Sequence, residues 1–204
     1  MELYLSIIIF AAAASITPGP NNVMIMTSGL NFGIRRSIPH ALGISLGFPM
    51  MLLALGFGLG SIFDLYPIIH DVIKFIGIIY LIYLAWRIAS AASIEDGAAA
   101  TNPLSFSQAA LFQWVNPKAW VMATGAISAF TSNHHAIFTQ IVFIAIAFFF
   151  AASISVAIWL VFGHQLKTLM KNNRQRQMFN IVMGISLIIS VLPVIKELFD
   201  SHIF

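Results

Sequence analysis

The chain has 204 residues, 59% hydrophobic and only 8% charged, with a mean hydropathy of +0.91. A soluble domain carries roughly 25% charged residues, so a soluble globular protein is excluded and most side chains must face lipid or other apolar helices. The formal net charge of +3 comes without the dense Lys/Arg run that nucleic acid requires, and the lack of cysteine excludes disulfides, thiolate metal sites and thiol redox chemistry.

At about 20 residues per crossing, the chain has room for six or seven spans. The expected fold is all-α, a single transmembrane domain over residues 1–204. The start, Met1-Glu2-Leu3, lacks the basic region and small-residue cleavage site of a signal peptide, so the first apolar run reads as a retained span. That span, Leu3 to about Gly29, is interrupted by Thr17-Pro18-Gly19-Pro20-Asn21-Asn22. Two prolines and a glycine in six residues remove amide donors and obstruct a helical path. Broken backbone at membrane depth is tolerated only where it is buried in protein or lines a wet cavity.

A short connection with Asn31, Gly33, Arg35, Arg36 and Ser37 leads into a second span, about Ile38 to Phe63. Gly43 and Gly47, and then Gly56 and Gly60, form small-xxx-small pairs that let a neighbouring backbone come close. Packing within one chain and packing in a homodimer both remain open. After Asp64, Tyr66, Pro67, His70 and Asp71 comes a third span, about Val72 to Ala89, whose Tyr83 and Trp86 read as interfacial anchors. Residues 91–105 form the one weakly hydrophobic segment and read as a linker between a first repeat (about 1–90) and a second (about 106–204).

The fourth span, about Phe106 to Phe130, is interrupted at Asn116-Pro117. Ser132, Asn133, His134 and His135 make a turn, and the fifth span runs from about Ile137 to Phe162. The sixth follows over about Phe179 to Ile195. Basic residues cluster in connections 1–2, 3–4 and 5–6, as Arg35, Arg36, Arg87, Lys167, Lys171, Arg174 and Arg176; the other side has Lys74 and Lys196. The positive-inside rule makes the first set cytoplasmic and both termini extracytoplasmic.

Three spans per half is an odd number, so the second half enters the membrane inverted. Pro18 and Pro117 then occupy matching places, the pattern that points to a transporter's binding site. Lys118 is the one formally charged side chain well inside a span, by default a functional position. A structural clamp on a helix C-terminal carbonyl is the competing reading. Half-helix N-termini near Pro20 and Pro117 offer amides and a positive dipole end to a carboxylate. Thr17, Asn21, Asn22, Gln113, Trp114 and Asn116 supply the other candidate substrate contacts, with Trp120 shaping the pocket. All seven acidic residues lie near span ends or in connections. A cationic amine or metal would want a buried carboxylate or soft ligand, so the site suits a zwitterion or an anion, with no metal or cofactor.

Two weaker patterns concern enzymes and metals. Gly43-Ile44-Ser45-Leu46-Gly47 matches G-x-S-x-G, but that motif needs a strand–turn–helix setting; His40 would be the nearest base. His134-His135 lacks a third ligand and reads as a polar turn. The chain is expected not to be an enzyme; a passive channel or other membrane subunit is the alternative to a transporter.

Thr17-Pro18-Gly19-Pro20-Asn21, with Asn116-Pro117-Lys118, resembles the LysE/RhtB family of amino-acid exporters. Gly33, Gly43, Gly47 and Tyr80-Leu81-Ile82-Tyr83-Leu84-Ala85-Trp86 extend the likeness over essentially the whole chain. The resemblance implies a six-span exporter of the bacterial inner membrane, moving small amino acids outward with protons as the usual energy source. Ser45-Leu46-Gly47-Phe48 and Trp86-Arg87-Ile88-Ala89 are most similar to the branch that exports cysteine and O-acetylserine. Relatives handling basic amino acids carry an acid near Gly43–Gly47, where this chain is apolar, and the spans contain no carboxyl proton carrier.

Overall fold

The structure, a computed structural model, describes residues 2–60, 65–91, 102–131, 137–170 and 172–201. The His134-His135 turn and most of the 91–105 linker lie outside the described residues. Helix α1 (Glu2–Ile16) is apolar all round and ends where Pro18 forces Thr17 out of helical geometry. Gly19 is fully extended, and α2 (Pro20–Phe32) restarts with proline at its first position, where no amide partner is lost. The two are bent by 54°. Almost all of α2 is buried, from Asn22 to Leu30, so this half-helix forms the centre of the bundle. It stops at Gly33, whose φ of 80° lies in the left-handed region that favours glycine.

Helix α3 (Ile34–Ala54) keeps Pro39 and Pro49 in its interior and passes into a π-helical turn, Leu55–Leu59. Helix α4 is Pro67–Ser90. Helix α5 (Phe106–Phe112) opens with a reciprocal capping box between Ser105 and Gln108. A tight turn, Gln113–Val115, and extended Asn116 separate it from α6 (Pro117–Phe130). Helices α7 (Ile137–Leu169) and α8 (Asn173–Ser201) complete the chain. Among the described residues there is no strand.

Four helical stretches are each long and apolar enough to cross a bilayer, and the bent α1–α2 pair makes a fifth. The expected sixth is where structure and sequence reading part. Phe106–Phe130 is divided into helices of 7 and 14 residues, neither of which reaches crossing length by itself.

Packing places α1 and α2 against α7, α5 against α3, α4 against α8, and α3 against α7 at the centre. Glycines set these crossings. A Cβ on Gly163 would lie 2.0 Å from the Met26 carbonyl oxygen, and one on Gly43 would lie 2.4 Å from that of Phe106. Gly47 meets Ala110 and Gly56 meets Ile141 in the same way, whereas Gly60, beyond the π turn, approaches only the Leu55 carbonyl. The first glycine pair therefore packs within the chain as one face, and the second does not act as a pair. Two apolar clusters result, one around Ile25, Ile44, Phe112 and Leu187, the other around Phe48, Met51, Ala123 and Phe148. The two breaks meet between them.

Candidate functional site

Both interruptions are local consequences of proline, but they leave different groups behind. At the first, α1 ends with the Thr17 and Pro18 carbonyls unused by any helix. At the second, Asn116 caps α6 by accepting from the Lys118 amide at 3.2 Å, which directs the Lys118 side chain back across the break. Its ammonium donates to the Thr17 carbonyl and to Thr17 Oγ1, each at 2.6 Å, and to the Pro18 carbonyl at 3.4 Å. A cation at the C-terminal end of α1 also meets the negative end of that helix dipole. This is the clamp geometry, and it is how the two breaks are joined.

A second link runs beside it. Asn21 Nδ2 donates to Gln113 Oε1 at 2.8 Å, and Gln113 Nε2 donates back to Asn21 Oδ1 at 3.1 Å. Gln113 is fully buried and also donates to the Ala109 carbonyl. Asn22, buried, donates to the Ser15 and Thr17 carbonyls at 2.9 and 2.8 Å, tying down the chain end that Pro18 released. For Asn22 the backbone-satisfying role is thus the observed one. Trp120 Nε1 donates to the Trp114 carbonyl, and the two indoles pack edge to face.

The breaks border a narrow cavity of about 420 Å³, part of which is open to the surroundings. Ser15, Asn21, Asn22, Asn116 and Lys118 form its polar end; Ile44, Phe48, Met122, Ala152 and Val156 form its apolar wall. Lys118 is the one formal charge on the lining, and no carboxylate faces it among the described residues. Lys118 also borders a wider vestibule of about 1320 Å³ between α4, α6 and α8. Pro18, Pro20, Trp114, Pro117 and Trp120 line that vestibule, and the Lys74–Glu197 ion pair (2.8 Å) sits at its margin. Of the sequence-predicted contacts, Gly19, Asn21, Asn22, Asn116 and Lys118 border the inner cavity. Thr17 holds Lys118, Gln113 holds Asn21, and the prolines and tryptophans belong to the vestibule side.

Two lining residues escaped the sequence reading. Ser155 of α7 donates to the Ser15 carbonyl at 2.8 Å, and Ser15 Oγ is buried with no hydrogen-bond partner among the described residues. A serine in an apolar helix usually bonds back into its own turn, so nothing local marks it as a site residue. The nucleophile-elbow alternative finds no support, because His40 Nδ1 meets Ser28 Oγ at 2.9 Å, a partner on a different helix from Ser45. No group of three or more metal-ligating side chains occurs among the described residues.

The Gly19 backbone shows how close the approach is. A Cβ there would lie 2.7 Å from Lys118 Cδ, so glycine is what lets the lysine stem cross the first break. This contact joins two proline-centred interruptions that lie about half a chain apart.

The chain is similar to the cysteine/O-acetylserine efflux protein of Escherichia coli, 28% identical over 180 residues that make up 88% of this chain and 90% of the relative. The protein of the same name from Shigella flexneri is similar to the same extent. No solved structure matches it. The family model of the LysE type translocator matches residues 12–193, a stretch that contains both breaks and most of the helices that pack around them. The chain belongs to the LysE type translocator family.

Proposed function

We propose that this protein is a secondary exporter of small neutral amino acids or close derivatives, of the cysteine and O-acetylserine kind, across the bacterial inner membrane. One observation carries the reading. A cavity whose single formal charge is the Lys118 ammonium has a polar end built from both breaks and an apolar wall a few ångströms away. A zwitterion's carboxylate would take the ammonium from the α1 carbonyls, its amino group would meet Ser15 or Asn21, and a short side chain would lie toward Phe48 and Val156. Cysteine and O-acetylserine, for which the relatives are named, have these parts.

Access alternates, in this reading, by rocking of two inverted three-span halves about the breaks. Support comes from the pairing of helices, which is preserved when the halves are exchanged. The first broken segment packs on α7 and the second on α3, while α3–α7 and α4–α8 pair across the halves. Arg36 and Arg87 both donate to Asn102, at 2.7 and 2.9 Å, gathering basic connections at one end, in keeping with a cytoplasmic face there and extracytoplasmic termini. Protons are the proposed driving ion.

The test is direct. Cells loaded with dipeptides should release neutral amino acids faster with this protein than without it, and an uncoupler should abolish the difference. Equal efflux with and without the protein, for every neutral amino acid measured, would refute the exporter reading.

A further inference from the structure

An exporter driven by protons needs a group that takes one up and gives it back, and the spans hold no carboxyl group for this. We infer that His40, held by Ser28, is the proton-binding site that couples transport to the pH gradient; this rests on the proposed function. His40 is 1% exposed, packed where α2 and α3 meet. Its Nδ1 lies 2.9 Å from Ser28 Oγ, across the α2–α3 contact. Its Nε2 is buried and has no hydrogen-bond partner among the described residues. A buried polar atom left unmet is costly and uncommon. It persists here on an imidazole, a side chain able to take up and release a proton.

The surroundings supply a path. His40 lines a pocket of about 410 Å³ with Thr27, Ser28, Asn31, Arg87 and Asn102, at the end of the molecule where the basic connections gather. This pocket is separate from the one that Lys118 borders, and α2 lines both. That half-helix starts at the first break with Asn21 and Asn22 and ends beside His40 with Ser28 and Asn31. A movement of the break that admits or releases substrate therefore moves the partner of the imidazole. Of the charged or titratable groups on neighbouring elements, Arg87 of α4 lines the pocket with His40, Arg36 lies one turn earlier on α3, and His164 of α7 sits against Gly33. Helices α2 and α5 bring none. Arginine does not release its proton in proteins, which leaves the imidazole as the exchanging group of this pocket. The step itself is simple: Nε2 gains a proton from one side of the membrane and loses it to the other, with no other bond made or broken.

The experiment uses the full chain in liposomes with labelled O-acetylserine as probe, reading exchange at equal pH and accumulation driven by an imposed pH gradient. Coupling between two sites is typically worth a factor of several to a hundred, so His40→Gln should lower gradient-driven accumulation about ten-fold and leave exchange within about two-fold. Ser28→Ala should keep the drive but shift the pH at which it is half-maximal, and His164→Gln should change neither. In the wild-type protein with ¹⁵N-labelled histidine, the His40 imidazole should titrate at a pH that O-acetylserine moves. Gradient drive retained in His40→Gln, loss of drive in His164→Gln instead, or an imidazole that O-acetylserine leaves untouched would overturn the assignment. Should His40→Gln fail to insert, the wild-type titration and Ser28→Ala decide. Wild-type protein that exchanges no neutral amino acid at all would instead remove the exporter reading, and the imidazole titration still reports on proton binding.

Discussion

The two breaks look alike in sequence and act as opposites in space. The first is an extended bridge with well-formed helices on either side, and it presents oxygens: the Thr17 and Pro18 carbonyls and Thr17 Oγ1. The second is a tightened turn closed by Asn116, and it presents a cation. The two are complementary: the first keeps acceptor capacity beyond the one bond Asn22 gives the Thr17 carbonyl, and the second would otherwise hold a charge without a partner. Meeting, each satisfies the other. The difference teaches why a single lysine suffices to join the breaks: its ammonium meets the oxygens of the break opposite. In the proposed mechanism, a substrate carboxylate that took this ammonium would break the link between the halves, so that binding and rearrangement would become one event.

Removing the cation gives the largest expected effect. Lys118 is only partly buried, and a hydrogen bond to a charged group contributes about 1.5–3 kcal/mol, so Lys118→Ala should weaken substrate binding on the order of ten-fold or more in exchange assays. Normal exchange by a correctly inserted Lys118→Ala protein would mean that the second break contributes no more to binding than the first. Next comes the acceptor side. In Gly19→Ala the new Cβ would be 2.7 Å from Lys118 Cδ, a clash with a flexible stem and not with backbone. Gly19 is extended, a conformation any residue adopts, so the fold should survive while the ammonium shifts. We expect exchange to fall on the order of ten-fold. In the Lys118→Ala background the same change should do nothing further, the non-additivity that contact predicts.

Much of this contrast was legible in advance, for a physical reason. Proline acts on its own backbone and its immediate neighbours, so Pro18, Pro20 and Pro117 marked both interruptions from local information. Lysine inside an apolar run is likewise conspicuous wherever it points. What sequence could not carry were partnerships across the fold. Gln113 reads as one turn before the break yet forms part of it, and its match to Asn21 spans 92 positions. The Lys118 sequence context fits a clamp and a substrate contact equally, and the contact with Thr17 that makes the clamp is a property of the fold. Helix ends were missed differently: α7 continues to Leu169, past the expected Phe162, because hydropathy marks where lipid ends and not where helical hydrogen bonding does. The six-span count treated 106–130 as one crossing, since hydrophobicity alone cannot separate a kinked helix from two short ones. Pro39 and Pro49 passed unremarked inside α3, where the helix accommodates them.

The amide clasp tests whether the halves are held by anything besides Lys118. Asn21 and Gln113 exchange two neutral hydrogen bonds, and neutral bonds contribute about 1 kcal/mol each, net. Asn21→Ala and Gln113→Ala should each lower thermal stability in detergent. A double-mutant cycle should return a coupling of about 1 kcal/mol, the range for directly contacting residues, and indifferent to salt. Zero coupling would leave Lys118 as the sole tie between the breaks, sharpening the contrast.

Thr17→Val is the smallest change and the one that separates clamp from substrate ligand. The substitution keeps the β-branched shape and removes Oγ1, which accepts from Lys118 at 2.6 Å and donates to the Ala14 carbonyl at 2.8 Å. The two carbonyl acceptors stay, so stability should drop by only about 0.5–1.5 kcal/mol. Affinity should move the other way if the ammonium is shared between α1 and a substrate. A weaker internal competitor makes the charge easier to claim, and binding should tighten by up to about three-fold, as a population shift toward the free ammonium requires. A lysine that only pins α1 offers no such trade: affinity would then fall together with stability. Titrating O-acetylserine against wild-type and Thr17→Val protein, with melting temperatures on the same samples, reads both quantities, and opposite signs are what a cation serving two breaks in turn must produce.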